Sequence, residues 1–409
     1  MAESNHAYAH ARERSCAMPE PALDRGASRF VSRRWASSET FSLDVFARNK
    51  YDDVIDLSIG DADFTTDQAI IDAAFADASA GHTHYGAPSG DPELVTAIEH
   101  YWHEDFGIDV PASDILVTAS SAMGMAQTLL AIVDPGDEVI VFSPHFPVYA
   151  IQIRAAGGVV VDVPLRESDG FAINEAQLAG AITDRTKAII FNNPTNPTGV
   201  THKMASYEAI ANVARAHDLL VIADEIYTDY IFDGAEPFVP MRALEGMAER
   251  TITLNSFSKN YMMAGWRIGY VVADSQLAEA IGAVGDAFVY TAPSVSQRAA
   301  IAAIEHRHEI RSRYIRQFGK RLDYVARRLQ SIAWMDLVVP HGTFYLFPSI
   351  KRTGLTGREF VNYALDEAHV LVAAGEQFGT SGAGHVRIAC TVPEAQLKEA
   401  CDRLERLHI

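Results

Sequence analysis

Short apolar runs alternate with helical stretches from about residue 60 to about residue 290. Ile115-Leu116-Val117-Thr118 comes first, followed by a helical pattern through Met125, Leu129 and Val133. The turn Asp134-Pro135-Gly136-Asp137 then opens into Val139-Ile140-Val141-Phe142. Ala188-Ile189-Ile190-Phe191, Leu219-Leu220-Val221-Ile222 and Thr251-Ile252-Thr253-Leu254 follow in the same style. These runs are short, apolar and bounded by turn residues, as buried parallel strands should be. Buried strands separated by helices imply an α/β domain with a mostly parallel sheet flanked by helices. In such sheets ligands collect beyond the carboxyl ends of the strands.

The pattern changes after about residue 295. A long helical stretch, Gln297 to about Ser331, carries arginines along one side. It leads into strand-like Leu337-Val338-Val339 and Phe344-Tyr345-Leu346-Phe347. A helix is expected from Gly357 to Ala368, a strand at Val386-Arg387-Ile388 and a charged helix from about Pro393 to Leu407. A chain of 409 residues exceeds what one core usually holds. The expected division is an N-terminal arm and segment over 1–55 that packs on the small domain, a large domain over 56–295 and a smaller α+β domain over 296–409.

Charge and composition narrow the function. A net charge of −19 argues against non-specific nucleic-acid binding, though a local basic pocket stays compatible with it. No apolar run reaches the roughly 18 residues of a membrane span. The first 35 residues hold scattered arginines and no apolar core, so a loose arm is expected rather than a secretory signal. Cys16, Cys390 and Cys401 show neither paired nor metal-ligand spacing, which fits a reducing cytoplasm. The histidines have no metal-site spacing either, so no metal is expected.

Polar clusters follow several of the apolar runs. Ser256-Phe257-Ser258-Lys259 lies shortly before Arg267 in Gly265-Trp266-Arg267-Ile268-Gly269-Tyr270. An amine beside hydroxyls and a guanidinium suits an aldehyde cofactor that carries a phosphate; a solvated loop lysine is the alternative. Lysine is scarce, 7 residues against 27 arginines, which weighs against ordinary surface charge. Thr118-Ala119-Ser120-Ser121-Ala122-Met123 offers either an anion site at a helix start or a plain cap by Ser120 or Ser121. Phe146, in Pro144-His145-Phe146-Pro147-Val148-Tyr149, either stacks on a flat ring or fills the core. Asn192-Asn193-Pro194-Thr195-Asn196-Pro197-Thr198-Gly199 is a rigid turn that can present an amide or bind nothing. Asp224 and Tyr227, in Ala223-Asp224-Glu225-Ile226-Tyr227, suit a ring nitrogen and a ring oxygen; metal ligation or a helix cap are the rivals. Arg387 is either a carboxylate clamp or a surface residue on an edge strand.

Taken together these segments resemble the class I/II aminotransferases, enzymes of fold-type I that use pyridoxal 5′-phosphate. The resemblance runs from about Asp53 to the C-terminus. It implies a large domain with a mostly parallel sheet of seven strands and a smaller α+β domain. By position, Lys259 is similar to the lysine that forms the aldimine and later shuttles a proton. Asp224 matches the partner of the pyridine nitrogen, Asn196 and Tyr227 the residues at the ring oxygen, and Phe146 the stacking residue. Ser121, Ala122, Ser256, Ser258 and Arg267 match the phosphate site. Arg387 matches the clamp on the substrate carboxylate, with Gly60 and Asn196 beside it. Tyr85 looks like the tyrosine that reaches the phosphate of a neighbouring subunit, which implies a homodimer with shared active sites.

The resemblance implies a transaminase, with amino-acid and 2-oxo-acid substrates and ping-pong transfer of the amino group; the cysteines make a cytoplasmic location the expectation. Ala122 stands where some aspartate-preferring relatives carry a lysine, which weakens strict aspartate specificity and leaves an aspartate, aromatic or neutral range. Ala62 and Ala374 depart from the usual prolines in two loops. Two other activities share this fold: C–S β-elimination and cofactor-dependent regulation. The regulators usually carry an added DNA-binding domain, for which an arm of about 35 residues is too short.

Overall fold

The seven strands β2 to β8 form one sheet, and every expected strand from Ile115 to Leu254 belongs to it. A first short strand, β1 (Ile55–Asp56), precedes them. They are β2 (Ile115–Thr118), β3 (Glu138–Ser143), β4 (Val159–Pro164), β5 (Thr186–Asn192), β6 (Leu220–Asp224), β7 (Thr251–Ser256) and β8 (Gly269–Val272). Their order is β2-β8-β7-β6-β5-β3-β4, and only β8 runs antiparallel to its neighbours. This is a computed structural model describing residues 49–409 together with 30–32, Trp35 and Ala47. Almost all of the expected arm, Cys16 included, lies outside the described residues. Phe41–Ile409 forms one compact unit.

The sheet is covered on both faces, which is why its strands read as continuous apolar runs. Val139, Val141, Ile190, Ile222 and Ile252 pack one way, against Met125, Leu129, Ile153 and Ile281 of the flanking helices. Ile140, Phe142, Ile189, Phe191 and Val221 pack the other way, with Tyr207, Ile210 and Met241. Burying side chains of this size contributes roughly 1.5–3 kcal/mol each. Two strands of this sheet escape the sequence reading. β4 is a partly exposed edge, and β8 lies inside a segment read for its chemistry.

The remaining strands are short: β9 (Tyr345–Leu346), β10 (Val370–Leu371), β11 (Ala373–Ala374) and β12 (Val386–Ala389). β12 sits between β11 and β9, antiparallel to both, while β1 pairs with β10 in parallel. The helix expected from Gly357 to Ala368 occupies those residues. Its start is set by a reciprocal box, in which Thr356 caps the N–H of Glu359 and Glu359 bonds the N–H of Thr356.

Two expectations fail. The long arginine-rich helix is interrupted: it runs Ser294–Glu305, restarts as Arg307–Ile310, widens through Arg311–Ile315 and continues as Arg316–Gln330. Around the break Arg307 and Arg311 turn inward. Asp105 accepts from Arg307 Nε at 2.9 Å and from Arg311 Nη2 at 2.8 Å, and Asp229 accepts from Arg311 at 2.6 Å. Leu337-Val338-Val339 forms no strand; one bridge, Asp336 to Ser349, is all that pairs there. Pro340 follows at once and has no N–H for a ladder. No helix among the described residues is long and apolar enough to cross a membrane.

Asp105 ties the broken helix to Pro92–Phe106 through two arginines. Asp105→Ala should destabilise the protein by about 3 kcal/mol, low in the range for broken buried pairs because each arginine keeps a second carboxylate. Urea unfolding checks this; an unchanged midpoint would contradict it.

Candidate active site

A cavity of about 200 Å³ opens at the carboxyl ends of the central strands. Gly60, Phe146, Asn196, Asp224, Tyr227, Lys259 and Arg387 all line it. They arrive from segments far apart in sequence, because β5, β6 and β7 end side by side.

Asp224 is the last residue of β6 and is 6% exposed. The hydroxyl of Tyr149, from helix Val148–Ala156, donates to its Oδ2. Its Oδ1 is buried and has no partner. Burial pushes the carboxyl up to about 6, while the Tyr149 hydroxyl and the Ile226 N–H pull it down. The next carboxylate, Glu225, is bonded elsewhere: its Oε1 accepts from the Met241 N–H at 2.7 Å. Burial lifts Glu225 to about 8, and the Asp224 charge adds to the rise.

Lys259 ends the first turn after β7, in the helical segment Phe257–Asn260. Its Nζ donates to the Gly60 carbonyl at 2.6 Å. Gly60 has to be glycine for steric reasons, since a Cβ there would lie 1.7 Å from the Tyr345 hydroxyl. The solvated-loop alternative for Lys259 does not describe this amine.

Arg387 sits on β12 and is 2% exposed, so it is no surface residue. Its Nη1 donates to Asn196 Oδ1 at 2.9 Å and its Nη2 to the Ser58 carbonyl at 2.6 Å. Nε has no partner. The guanidinium lies over the rings of Tyr345 and Phe378, at 4.5 and 4.8 Å. Burial lowers its pKa from the usual arginine value. An arginine only donates, so this contact turns the Asn196 oxygen toward Arg387 and leaves Nδ2 for another acceptor. Asn192 braces the turn: its Oδ1 accepts from the Asn196 N–H and its Nδ2 donates to the Asp224 carbonyl, both at 2.8 Å.

The remaining expected residues do not line this cavity. Ser121, Ala122, Ser256, Ser258 and Arg267 lie close to Gly269 in chain or in register, where β2, β8 and β7 adjoin. Gly269 pairs with both Thr118 and Ser256, and a Cβ on it would lie 2.7 Å from the Ser121 nitrogen. Ser120, not Ser121, caps the helix Ser121–Ile132 by accepting from Met123. Ser256 Oγ accepts from the Ser258 N–H at 3.1 Å. Arg267 has a φ of +53° and an exposed side chain bonded to the Ala264 carbonyl at 2.7 Å. Tyr85 is 84% exposed and meets Tyr290 edge-on at 5.3 Å.

Tyr149 and Tyr345 also line the cavity. Sequence reasoning gave neither a role. Tyr149 stood in a segment noted for its phenylalanine, and Tyr345 in a run noted only as a strand.

A pH dependence follows from the two raised carboxyls. Folded Asp224 keeps its proton to about pH 6, above its ordinary 3.8, and Glu225 to about 8, above its ordinary 4.5. Within those windows the folded state binds more protons than the unfolded state, so raising the pH costs stability. In ligand-free protein Asp224→Asn should therefore gain on the wild type between pH 4 and 6, by up to about 3 kcal/mol, and the difference between the two should level off below pH 4. Thermal melts across this range test it. A difference that is constant with pH would contradict the sign.

The model of the family named aminotransferase class I and II matches residues 52–404. An aspartate aminotransferase of Pyrococcus abyssi is 38% identical over 359 residues, 87% of this chain and 92% of that protein. An arginine–pyruvate transaminase of Pseudomonas aeruginosa is 35% identical, covering 86% of this chain and 89% of that one. The structure of an aromatic aminotransferase from Pyrococcus horikoshii superposes with a TM-score of 0.84 at 37% identity, over 87% of this chain and 95% of that chain. The chain belongs to the class I and II aminotransferases.

Proposed function

We propose that the cavity holds pyridoxal 5′-phosphate and that the protein moves the amino group of an α-amino acid to a 2-oxo acid by a ping-pong route. The observation that carries this reading is Asp224 Oδ1, buried without a partner in the cavity that Lys259 lines. A buried acceptor left unpaired is costly, and a protonated ring nitrogen satisfies it.

Other groups fit the rest of the cofactor. Lys259 would hold its aldehyde end, Phe146 a ring face, and Asn196 Nδ2 with Tyr227 its ring oxygen. The N–H groups of Ser121 and Ala122, the hydroxyls of Ser256 and Ser258, and Arg267 would hold its phosphate. First-turn N–H groups of a helix suit an anion. Gly269 lets β8 run against Ser121, where a Cβ would clash with main-chain atoms.

The bound cofactor supplies an electron sink that carries the amino group from one acid to the other. Arg387 clamps the substrate carboxylate, with Gly60 and Asn196 beside it. Asp224 holds a negative charge against the ring nitrogen, and a cationic partner there lowers its pKa from the empty-site value. The Lys259 amine, released from the Gly60 carbonyl, moves the proton at the substrate α-carbon. Tyr85 reaches nothing in its own cavity, which supports a homodimer where it completes the partner's phosphate site. The substrate range in this reading covers aspartate, aromatic and neutral amino acids.

Purified protein should show a visible cofactor band. Lys259→Ala should lose both the band and amino transfer, and an unchanged rate in that variant would sink the assignment. Asp224→Ala should keep the cofactor and lose about a thousandfold in kcat, as for other preorganised charges. Amino acids paired with 2-oxoglutarate and pyruvate should give parallel initial-velocity lines. Pyruvate and ammonia from cystathionine without an added oxo acid would mark a C–S lyase instead.

A further inference from the structure

We propose that Tyr345 is a positioning residue joining the two ends of this site: its hydroxyl directs Tyr227 and its ring holds Arg387. This rests on the transaminase reading above. Tyr345 lies on β9, across from Ala389 of the strand that carries Arg387. It is 3% exposed. Its backbone is fixed as well, since its N–H donates to Thr343 Oγ1 at 3.0 Å.

Three contacts converge on this one side chain. The hydroxyls of Tyr345 and Tyr227 are 3.2 Å apart. The Arg387 guanidinium lies 4.5 Å from the Tyr345 ring centroid. The Tyr345 hydroxyl also fills the space that a Cβ on Gly60 would need, and the Gly60 carbonyl is the acceptor for Lys259. A residue that only filled the core would not need its polar atom at the meeting point of these groups. The charged or titratable neighbours that line the same cavity are Tyr149, Tyr227, Arg387, Asp224 and Lys259, and Tyr149 donates to Asp224 rather than to Tyr345.

A count of protons gives the hydroxyl its task. Each phenol has one proton to donate. Tyr227 can give its proton to Tyr345 or to the ring oxygen of the cofactor, not to both. With Tyr227 donating to the cofactor, Tyr345 turns its own proton onto the Tyr227 oxygen. A donor at that oxygen makes Tyr227 the stronger donor in turn, as in linked hydrogen bonds generally. Tyr227 then stabilises negative charge on the ring oxygen, which loosens the proton that gives the bound cofactor its pH-dependent colour. The ring has a separate task. It keeps the guanidinium plane, whose Nε has no protein partner, in place for an incoming carboxylate.

The test separates hydroxyl from ring. Wild type, Tyr345→Phe and Tyr345→Leu are loaded with pyridoxal 5′-phosphate and the visible band is titrated against pH. KM and kcat are measured on the same preparations. Tyr345→Phe should move the titration midpoint upward by about 0.5–1 pH unit, the size of one lost hydrogen bond, with KM for the amino acid within about twofold. Tyr345→Leu should add a rise in KM of about tenfold as Arg387 loses its stacking face. A midpoint unmoved in Tyr345→Phe overturns the hydroxyl role, and a KM unmoved in Tyr345→Leu overturns the ring role. Wild-type protein that takes up no cofactor overturns the functional reading and this inference with it. A wild-type band with unmoved variants overturns the inference alone.

Discussion

A carboxylate buried at the end of a central strand, with one oxygen bonded and the other bare, is the constraint on which the site depends. In a buried setting Asp224 is expensive as an anion. The fold limits that expense from several directions: Tyr149 covers Oδ2, the Ile226 N–H adds a second donor, and Asn192 ties down the Asp224 carbonyl. None of these reaches Oδ1. In the proposed reading a cationic ring entering the cavity meets that remaining need.

Arg387 is the opposite charge handled in the same way. It is buried, yet both of its bonded nitrogens give to neutral oxygens, on Asn196 and Ser58. Neutral acceptors orient a guanidinium without cancelling its charge. A carboxylate partner would have neutralised it. Asp224 and Arg387 line one cavity, and each is bonded to neutral groups, Asp224 to the Tyr149 hydroxyl and Arg387 to the Asn196 and Ser58 oxygens. A chain with a net charge of −19 thus keeps a local positive charge in a low-dielectric pocket.

Most of the large sheet and many of the site residues were legible in the sequence, for a shared physical reason. Strands covered on both faces must be apolar throughout, so the polar residue that ends each run stands out: Asn192 after Phe191, Asp224 after Ala223 and Ser256 after Leu254-Asn255. What stayed hidden depends on contacts between distant segments. The break near His306 follows Asp105 and Asp229, which lie about 200 and 80 residues away from the arginines they bind. Nothing local in the arginine-rich stretch signals it. Leu337-Val338-Val339 has strand residues, but Pro340 and the lack of a partner strand decide otherwise. Tyr149 and Tyr345 are large and buried, so in sequence they look like core; only their hydroxyl partners set them apart.

Gly60 shows how tightly the two halves of the site are coupled. Its carbonyl holds the Lys259 amine, and its missing side chain makes room for the Tyr345 hydroxyl that meets Tyr227. A larger residue would have to push Tyr345 away, disturbing Tyr227 on one side and Arg387 on the other. The amine can leave the Gly60 carbonyl without moving the backbone, because Ile59 is pinned separately by the Thr391 hydroxyl, which donates to the Ile59 carbonyl at 2.8 Å. The site therefore combines a backbone pinned at Ile59 with an amine held on the adjacent carbonyl. The proposed proton transfer at a substrate carbon asks for that combination, since the acid and base groups must be aligned beforehand while the amine that carries the proton must be able to leave its carbonyl.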